Sequence, residues 1–242
     1  MNAIIETKEL TKQFGQFTAV DAISFAVNKG EIFGFLGANG AGKTTALRML
    51  TGLLRPTSGM ARVAGIDVFK EPDEVKRRIG YMSQKFSLYE DLTIRENIRL
   101  YGGIYGLSNA HIASKTTELL EQLEMETMGN KLVGSLPLGW KQKLAFSVSM
   151  LHDPKIVFLD EPTSGVDPLT RRQFWELIYA ASARGVTLMV TTHYMEEAEY
   201  CHRVSIMVDG QIRELDTPRN MKTRLGANDM DEVFRRLARE NQ

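Results

Sequence analysis

The segment "EIFGFLGANGAGKTTALRMLTGLL", from Glu31 to Leu54, decides the fold of this 242-residue chain. Its opening, "EIFGFLG", is apolar and predicts a β-strand that runs into a glycine-rich turn. A strand, a glycine-rich turn and a helix in this order are typical of the phosphate-binding unit of α/β proteins. The second part has a helical period that places these apolar residues on one face: Ala46, Leu47, Leu50 and Leu54.

The turn, "GANGAGKT" from Gly37 to Thr44, matches the pattern G-x-x-x-x-G-K-[ST]. Glycines allow backbone N–H groups to turn inward around phosphate oxygens, and the positive end of the following helix favours an anion. We expect the Lys43 ammonium to reach the β- and γ-phosphates of a nucleotide and the Thr44 hydroxyl to bind Mg²⁺. The predicted nucleotide-binding residues of this loop are Gly37, Ala38, Asn39, Gly40, Ala41, Gly42, Lys43, Thr44 and Thr45.

Two further apolar strands end in residues that suit phosphate hydrolysis. "KIVFLDE" ends in Asp160, which can hold the Mg²⁺ shell, and Glu161, which can polarise an attacking water. "VTLMVTTH" ends in His193. A single histidine is more often structural than catalytic. Here adjacent buried strands would place His193 beside Asp160, which favours contact with the γ-phosphate.

Short β-branched segments alternate with helical patterns, so the sequence predicts an α/β fold with mostly parallel strands. The segment from about Thr93 to Leu151 has almost no strand pattern and predicts a helical insertion. The predicted architecture is a P-loop NTPase core, a parallel-rich sheet with helices plus an antiparallel N-terminal β-subdomain, with an inserted helical subdomain. Within a single domain, 1–242, residues 1–84 and 152–225 form the core, 85–151 the helical subdomain and 226–242 a C-terminal helix.

The composition restricts the class of partner and the compartment. The 30 basic and 30 acidic residues balance, which argues against nucleic acid as the main partner, since phosphate backbones are bound through excess Lys and Arg. Cys201 has no second cysteine to pair with, so we expect a buried thiol in a reducing compartment. No apolar stretch approaches the ~20 residues that span a bilayer, and the N-terminus lacks the apolar core of a signal peptide. We expect a cytoplasmic chain that is able to dock on a membrane protein.

Four motifs stand in the order found in one family: "GANGAGKTT", "YMSQKFSLYEDLTIREN", "LDEPTSGVDP" and "TTHYMEEAE". Over nearly its whole length the chain resembles ATP-binding cassette (ABC) nucleotide-binding domains, and it looks most like the ATPase subunits of bacterial drug- and polysaccharide-type (ABC-2) exporters. The resemblance implies that ATP and Mg²⁺ bind at the phosphate loop. It also implies that ATP-driven dimerisation with a second ABC domain powers a separate transmembrane permease subunit, with this chain peripheral on the inner face of the cell membrane.

The resemblance assigns roles to matching positions. Phe14 falls where an aromatic ring stacks on adenine; Phe17 is the nearby competitor, and either ring could instead belong to the core. Gln84 matches the glutamine that senses Mg²⁺ and the attacking water. The implied metal ligands are Thr44, Gln84 and Asp160. The implied catalytic residues are Glu161, His193 and Gln84. The implied dimer-interface loop consists of Ser164, Gly165, Val166 and Asp167.

One motif departs from the family pattern. The segment "LPLGW" stands where the signature L-S-G-G-Q of one domain would meet the phosphates bound by the other. Pro137 lacks both the serine hydroxyl and a backbone N–H, and Leu138 and Trp140 add bulk where a phosphate would approach. The helix should still begin here, with Ser135 as its cap. One lost hydrogen bond to a charged group predicts hydrolysis slowed by about ten- to a hundredfold. The degenerate signature consists of Leu136, Pro137, Leu138, Gly139 and Trp140.

The degenerate signature bears on the identity of the second ABC domain. An intact Glu161 and His193 beside a lost signature favour an unlike partner, which would bring an intact signature to this chain's phosphate loop. The alternative is that "LPLGW" is tolerated and that a homodimer suffices. The segment "KFSLYEDLT" either docks the permease or packs between the two subdomains, through Phe86, Leu88 and Tyr89.

Two other functions are the alternatives to transport. A soluble ABC ATPase that acts on ribosomes or nucleic acid would usually carry two cassettes, a charged linker or a coiled-coil insert, and this sequence has none of these. A largely non-hydrolysing nucleotide switch is compatible with the poor signature, but the intact Glu161 argues against it.

Overall fold

The structure is a computed structural model, and it describes residues 3–84 and 88–239. The strands and helices are, in chain order, β1 (Ala3–Phe14), β2 (Phe17–Asn28), β3 (Ile32–Leu36), α1 (Lys43–Leu50), β4 (Ser58–Val63), β5 (Ile66–Asp67), α2 (Pro72–Arg78), β6 (Ile79–Met82), α3 (Ile94–Ile104), α4 (Asn109–Gln122), α5 (Leu138–Ser149), β7 (Ile156–Asp160), α6 (Pro168–Ala183), β8 (Thr187–Thr192), β9 (Arg203–Val208), β10 (Gln211–Asp216), α7 (Pro218–Leu225) and α8 (Met230–Arg239). Short 3₁₀ turns cover Glu126–Met128, Val133–Ser135 and Met195–Tyr200.

The central sheet has six strands in the order β10-β9-β3-β8-β7-β6. Each pair in it is parallel except β10 with β9, which form an antiparallel hairpin. The carboxyl ends of β3, β7 and β8 therefore lie side by side at one edge of the sheet, where ligands of open α/β sheets bind. The predicted parallel-rich sheet is confirmed.

A second, antiparallel sheet has the order β2-β1-β4-β5. The long hairpin of β1 and β2 forms most of it, with several register shifts, and many of its side chains are half-buried or exposed. This agrees with the antiparallel, half-exposed N-terminal region expected from the sequence.

The central sheet is buried on both faces, and its side chains alternate between two cores. Along β3, Ile32 and Leu36 belong to the core covered by α3 to α6, whereas Phe33 and Phe35 belong to the core under α1 and the antiparallel sheet. Successive side chains of a strand point to opposite faces, so an uninterrupted apolar strand serves both layers. The strands read as continuous apolar runs in the sequence because both of their faces are buried.

The described part of 85–151 forms helices, 3₁₀ turns and one isolated bridge. Helix α3 begins with a capping box, in which Thr93 and Glu96 bond to each other's backbone N–H groups. Residues of these helices, such as Ile98, Leu120 and Leu144, share one core cluster with Leu159 of β7. The division into a core and a helical subdomain stays a prediction.

Two local expectations are wrong. Helix α1 ends at Leu50 rather than at Leu54, because Gly52 takes a left-handed conformation with φ 72° and the Leu54 N–H turns back to the Arg48 carbonyl. Ser135 does not cap α5, since its hydroxyl donates to the Leu132 carbonyl oxygen at 2.7 Å, within the preceding 3₁₀ turn.

The C-terminal helix has a packing role. Met230, Val233 and Leu237 of α8 are buried in the core cluster that also contains β3 and β8, and α8 contacts the turn Met195–Tyr200. Cys201 is buried as expected, and burial raises the pKa of its thiol above the usual range. Among the described helices, none combines the length and the apolarity that crossing a bilayer requires.

Candidate active site

The phosphate loop is held by its own lysine. The Lys43 ammonium is nearly buried and donates to the carbonyl oxygens of Gly37 at 2.8 Å and Ala38 at 3.1 Å. Gly42, just before α1, has a φ of 103°, and a Cβ there would lie 2.3 Å from the Ala19 carbonyl oxygen. Only glycine fits this position, which brings the loop backbone against β2.

Asp160 lies at the end of β7 beside two hydroxyl groups. Thr44 donates to its Oδ1 at 3.1 Å, and Thr191 donates to the same oxygen at 2.7 Å. Burial raises the pKa of the Asp160 carboxyl, although both hydrogen bonds act in the opposite direction. A hydroxyl beside a desolvated carboxylate is a set of hard oxygen ligands that suits Mg²⁺. In residues 3–84 and 88–239 no cluster of three or more His, Cys, Asp or Glu residues could hold a metal ion.

Glu161 is the point where three other predicted residues meet. The Gln84 amide donates to its Oε2 at 3.0 Å, and His193 Nδ1 lies 3.1 Å from the same oxygen. The Lys43 ammonium lies 3.5 Å from Oε1. Burial lowers the pKa of Lys43, and the Glu161 and Asp160 carboxylates oppose this shift.

The backbone of Glu161 is strained and firmly bound. Its φ is 50°, a left-handed value that a side chain with a Cβ rarely adopts. Its N–H donates to the carbonyl and the hydroxyl oxygen of Thr191, at 3.1 and 3.0 Å. Neighbouring strand β8 therefore maintains the turn that directs the carboxylate toward the phosphate loop.

The predicted dimer-interface loop connects β7 to α6. Asp167 caps α6, with its carboxylate accepting from the Thr170 N–H at 3.0 Å and the Thr170 hydroxyl at 2.6 Å, and these hydrogen bonds lower its pKa. Ser164 and Val166 are half-buried, and Gly165 is exposed. The role of this loop between two domains stays a prediction.

The signature segment divides into a buried and an exposed part. Leu136 is buried in the core, and Trp140 is half-buried and packs against it, so much of the tryptophan's bulk is directed inward. A Cβ on Gly139 would lie 2.3 Å from Thr170 Cγ2, which explains why glycine stands where α5 meets α6. Pro137 occupies the N-cap position without a side-chain cap and is exposed.

Leu138 is the exposed apolar side chain of this helix start, with 44% of its surface accessible. It lines a cavity of about 140 Å³ together with Gln84, Glu161 and Ser164. The start of α5 therefore lies near Glu161 of the same chain, beside the predicted dimer-interface loop.

The aromatic candidates for adenine stacking are both exposed. Phe14 and Phe17 face each other at the tip of the β1–β2 hairpin, with 50% and 64% of their surfaces accessible. The alternative that either ring is a core residue is therefore wrong. The Lys12 ammonium lies 5.0 Å from the Phe14 ring centroid.

The candidate docking residues have different environments. Leu88 is buried in the core, whereas Tyr89 is 52% exposed. Buried Asn97 fixes the Tyr89 backbone through two hydrogen bonds of 2.9 Å. Phe86 lies outside the described residues.

Sequence reasoning missed four polar residues around this site. Thr191 binds both Asp160 and the Glu161 N–H, and a second cluster behind Glu161 joins Thr163, Arg171 and Glu197. The only signal for Thr163, Thr191 and Glu197 was their position within "DEPTSGVDP" and "TTHYMEEAE", and Arg171 lies outside both segments. Each contact depends on neighbouring elements of the fold.

A phosphate loop, a strand-end aspartate and a glutamate held by glutamine, lysine and histidine define the site of a P-loop nucleoside triphosphatase. The ABC transporter family profile matches residues 20–164. The chain therefore belongs to the ABC transporter family and is an ATP-binding cassette of that family. Cassettes of this family are ATPases.

The chain is similar to proteins named as parts of drug transporters. It is 49% identical over 226 residues to the probable multidrug ABC transporter ATP-binding protein YbhF of Escherichia coli (strain K12), covering 93% of this chain and 39% of that protein. It is 38% identical over 230 residues to the daunorubicin resistance ATP-binding protein DrrA2 of Streptomyces coeruleorubidus, covering 95% and 71%. The chain thus spans about two fifths of the length of the first relative.

Solved structures agree with the assignment. One ATP-binding subunit of an ABC transporter superposes with a TM-score of 0.86 at 27% identity, covering 97% of this chain and 99% of the other. A dimeric ATP-binding cassette bound to ADP and Pi after hydrolysis gives a TM-score of 0.79 at 25% identity, covering 88% and 98%.

Proposed function

We propose that this chain hydrolyses ATP with Mg²⁺ and thereby powers a separate membrane permease, as the ATPase subunit of an exporter. The observation that carries the proposal is the convergence of Lys43, Gln84 and His193 on the Glu161 carboxylate, beside the Thr44–Asp160 pair. The names of the drug-transporter relatives support export.

The phosphate loop binds the nucleotide in this proposal. The Lys43 ammonium has three oxygen contacts that it could exchange for phosphate oxygens, namely Gly37 and Ala38 carbonyls and Glu161. Thr44 and Asp160 would hold Mg²⁺, with Gln84 as the third ligand inferred from the family. When bound, Mg²⁺ neutralises charge on the phosphates.

Glu161 orients the attacking water and accepts its proton. The Gln84 amide and the His193 ring fix Oε2 of this carboxylate, at 3.0 and 3.1 Å. His193 then has a second role, contact with the γ-phosphate, for which its position at the end of β8 is suited. Phe14 stacks on adenine at the exposed tip of the β1–β2 hairpin.

The partners follow from the family and from the surface. A second ABC domain completes the site, and an unlike one is favoured because Pro137 and Leu138 are exposed where the signature should offer small, polar contacts. The permease holds the chain at the inner face of the cell membrane. Tyr89, exposed on a rigid backbone, is the described residue best placed to contact it.

The test is ATP hydrolysis by the purified chain, beside Glu161→Gln and the control Glu176→Gln, an exposed carboxylate of α6. We expect ATP binding in all three proteins and turnover that Glu161→Gln abolishes and Glu176→Gln retains. Measurable turnover that Glu161→Gln leaves unchanged, or no ATP binding, would overturn the proposal. If the wild type binds ATP and turns over only with an unlike ABC domain added, the unlike pairing is supported.

A further inference from the structure

A fully buried carboxylate lies behind the candidate active site. Glu197 belongs to the 3₁₀ turn Met195–Tyr200, four residues after His193, and its side chain has no accessible surface. Its Oε1 accepts a hydrogen bond of 2.5 Å from the Thr163 hydroxyl and lies 3.6 Å from Arg171 Nε. Within the described residues its other oxygen has no hydrogen-bond partner. A charge in such a place is costly unless its few partners stay fixed, so the cluster tolerates little rearrangement.

Arg171 connects Glu197 to the residue beside His193. Its guanidinium, on α6, lies 4.0 Å from the ring centroid of Tyr194, and it also pairs with Glu196. The Tyr194 ring in turn lies 4.1 Å from the His193 ring. Glu197 is therefore linked to His193 through the Arg171 guanidinium and the Tyr194 ring.

Thr163 connects Glu197 to the other side of the site. It is buried, two residues after Glu161, in the segment that leads to the dimer-interface loop. Since His193 Nδ1 contacts Glu161 Oε2, the contacts form a closed circuit around Glu161. The three segments that meet at this circuit follow β7, begin α6 and follow β8.

We propose that Glu197 is a positioning residue for ATP hydrolysis. By binding Thr163 directly and Arg171 through its charge, it fixes the segment after Glu161 relative to the segment after His193. It acts without touching nucleotide, so it affects the chemical step and not the binding of ATP. The proposal rests on the proposed function, because its effect is exerted through Glu161 and His193.

The first test is Glu197→Gln, which retains the shape and an acceptor for Thr163 but removes the charge. We expect kcat to fall about tenfold or more, with KM and ATP affinity unchanged, because small displacements of reacting groups are costly. The matched control is Glu199→Gln, an exposed carboxylate of the same turn that pairs with Lys222, and it should retain the wild-type kcat. Rates are measured well below each thermal midpoint and per folded protein.

The second test uses the hydroxyl of Thr163, in case Glu197→Gln does not fold. Thr163→Ser retains the hydroxyl that donates to Glu197. Thr163→Val retains the shape of the side chain but removes this hydroxyl. We expect near wild-type kcat for the serine variant and about a tenfold lower kcat at unchanged KM for the valine variant. Wild-type kcat in Thr163→Val, or a loss in kcat that tracks only the folded fraction, means that the cluster is merely structural. If wild type and Glu161→Gln show the same measurable turnover, the proposed function fails instead.

Discussion

At the residue scale, Asp160 combines the proposed metal-binding position with an unfavourable environment for its charge. It is 1% exposed, and burial raises the pKa of its carboxyl. A carboxyl whose pKa is higher in the folded than in the unfolded chain destabilises the fold: the free energy of unfolding falls as the pH rises from the unfolded-state pKa through the folded-state pKa. The ligand-free protein therefore pays in stability for a charge that Mg²⁺ would neutralise.

We predict that Asp160→Asn separates these two effects. In urea unfolding without ligand, the variant should gain stability relative to wild type as the pH rises through the raised pKa, and the difference should level off above it. In ATP titrations with Mg²⁺, the variant should bind at least about tenfold more weakly, because it lacks an anionic ligand. Unchanged Mg²⁺-dependent affinity would remove Asp160 from the proposed metal site.

Motif residues were predictable from the sequence because their backbone context is local. Lys43 and Thr44 belong to one continuous loop–helix unit, and Asp160 and Glu161 end one continuous strand. The contacts of Thr191 were not predictable, since they depend on the register of β8 against β7. Pairings between strands distant in sequence are fixed by the whole sheet.

At the element scale, the packing of α5 against α6 accounts for Gly139, a position at which the family signature also has glycine. The resemblance placed Gly139 in the degenerate signature and predicted that Trp140 adds bulk where a phosphate would approach. The fold gives Gly139 a packing reason, its contact with Thr170, and it buries part of Trp140 against the core. The helical periodicity of the sequence did not indicate the packing of Gly139 and Trp140, because this packing depends on how α6 crosses α5.

We predict that Gly139→Ala destabilises the chain by about 1–3 kcal/mol, because the new methyl group overpacks this junction. In the Thr170→Ser background, which removes the methyl group at 2.3 Å and retains the hydroxyl, the same change should cost much less. A double-mutant cycle of urea unfolding free energies measures the coupling between the two positions. Additive free energies would contradict close packing of α5 on α6 at this point.

At the scale of the whole molecule, the proposed pairing with a second ABC domain would give this cassette one complete and one altered half of a composite site. The residues that surround the phosphate loop converge on Glu161, whereas the exposed start of α5 offers Pro137 and Leu138. In a symmetric pair, both composite sites would contain the altered start. In an unlike pair, one site would combine this chain's Glu161 with the partner's signature.

We predict that the double change Pro137→Ser with Leu138→Gly raises kcat of the purified chain about tenfold, because it restores a hydroxyl, an N–H and space at the helix start. The matched control is Pro137→Ala with Leu138→Gly, which restores the N–H and the space without the hydroxyl, so the difference between the two variants measures the hydroxyl alone. Trp140 is left unchanged because it packs against the core. Phosphate release and thermal unfolding are measured for each variant. Oligomeric state in ATP is measured by sizing on the same variants with Glu161→Gln added, because that substitution slows turnover and retains any dimer. A wild-type chain that already dimerises and turns over as fast as the restored variant would mean that "LPLGW" serves as a working signature, and an unlike partner would no longer be favoured.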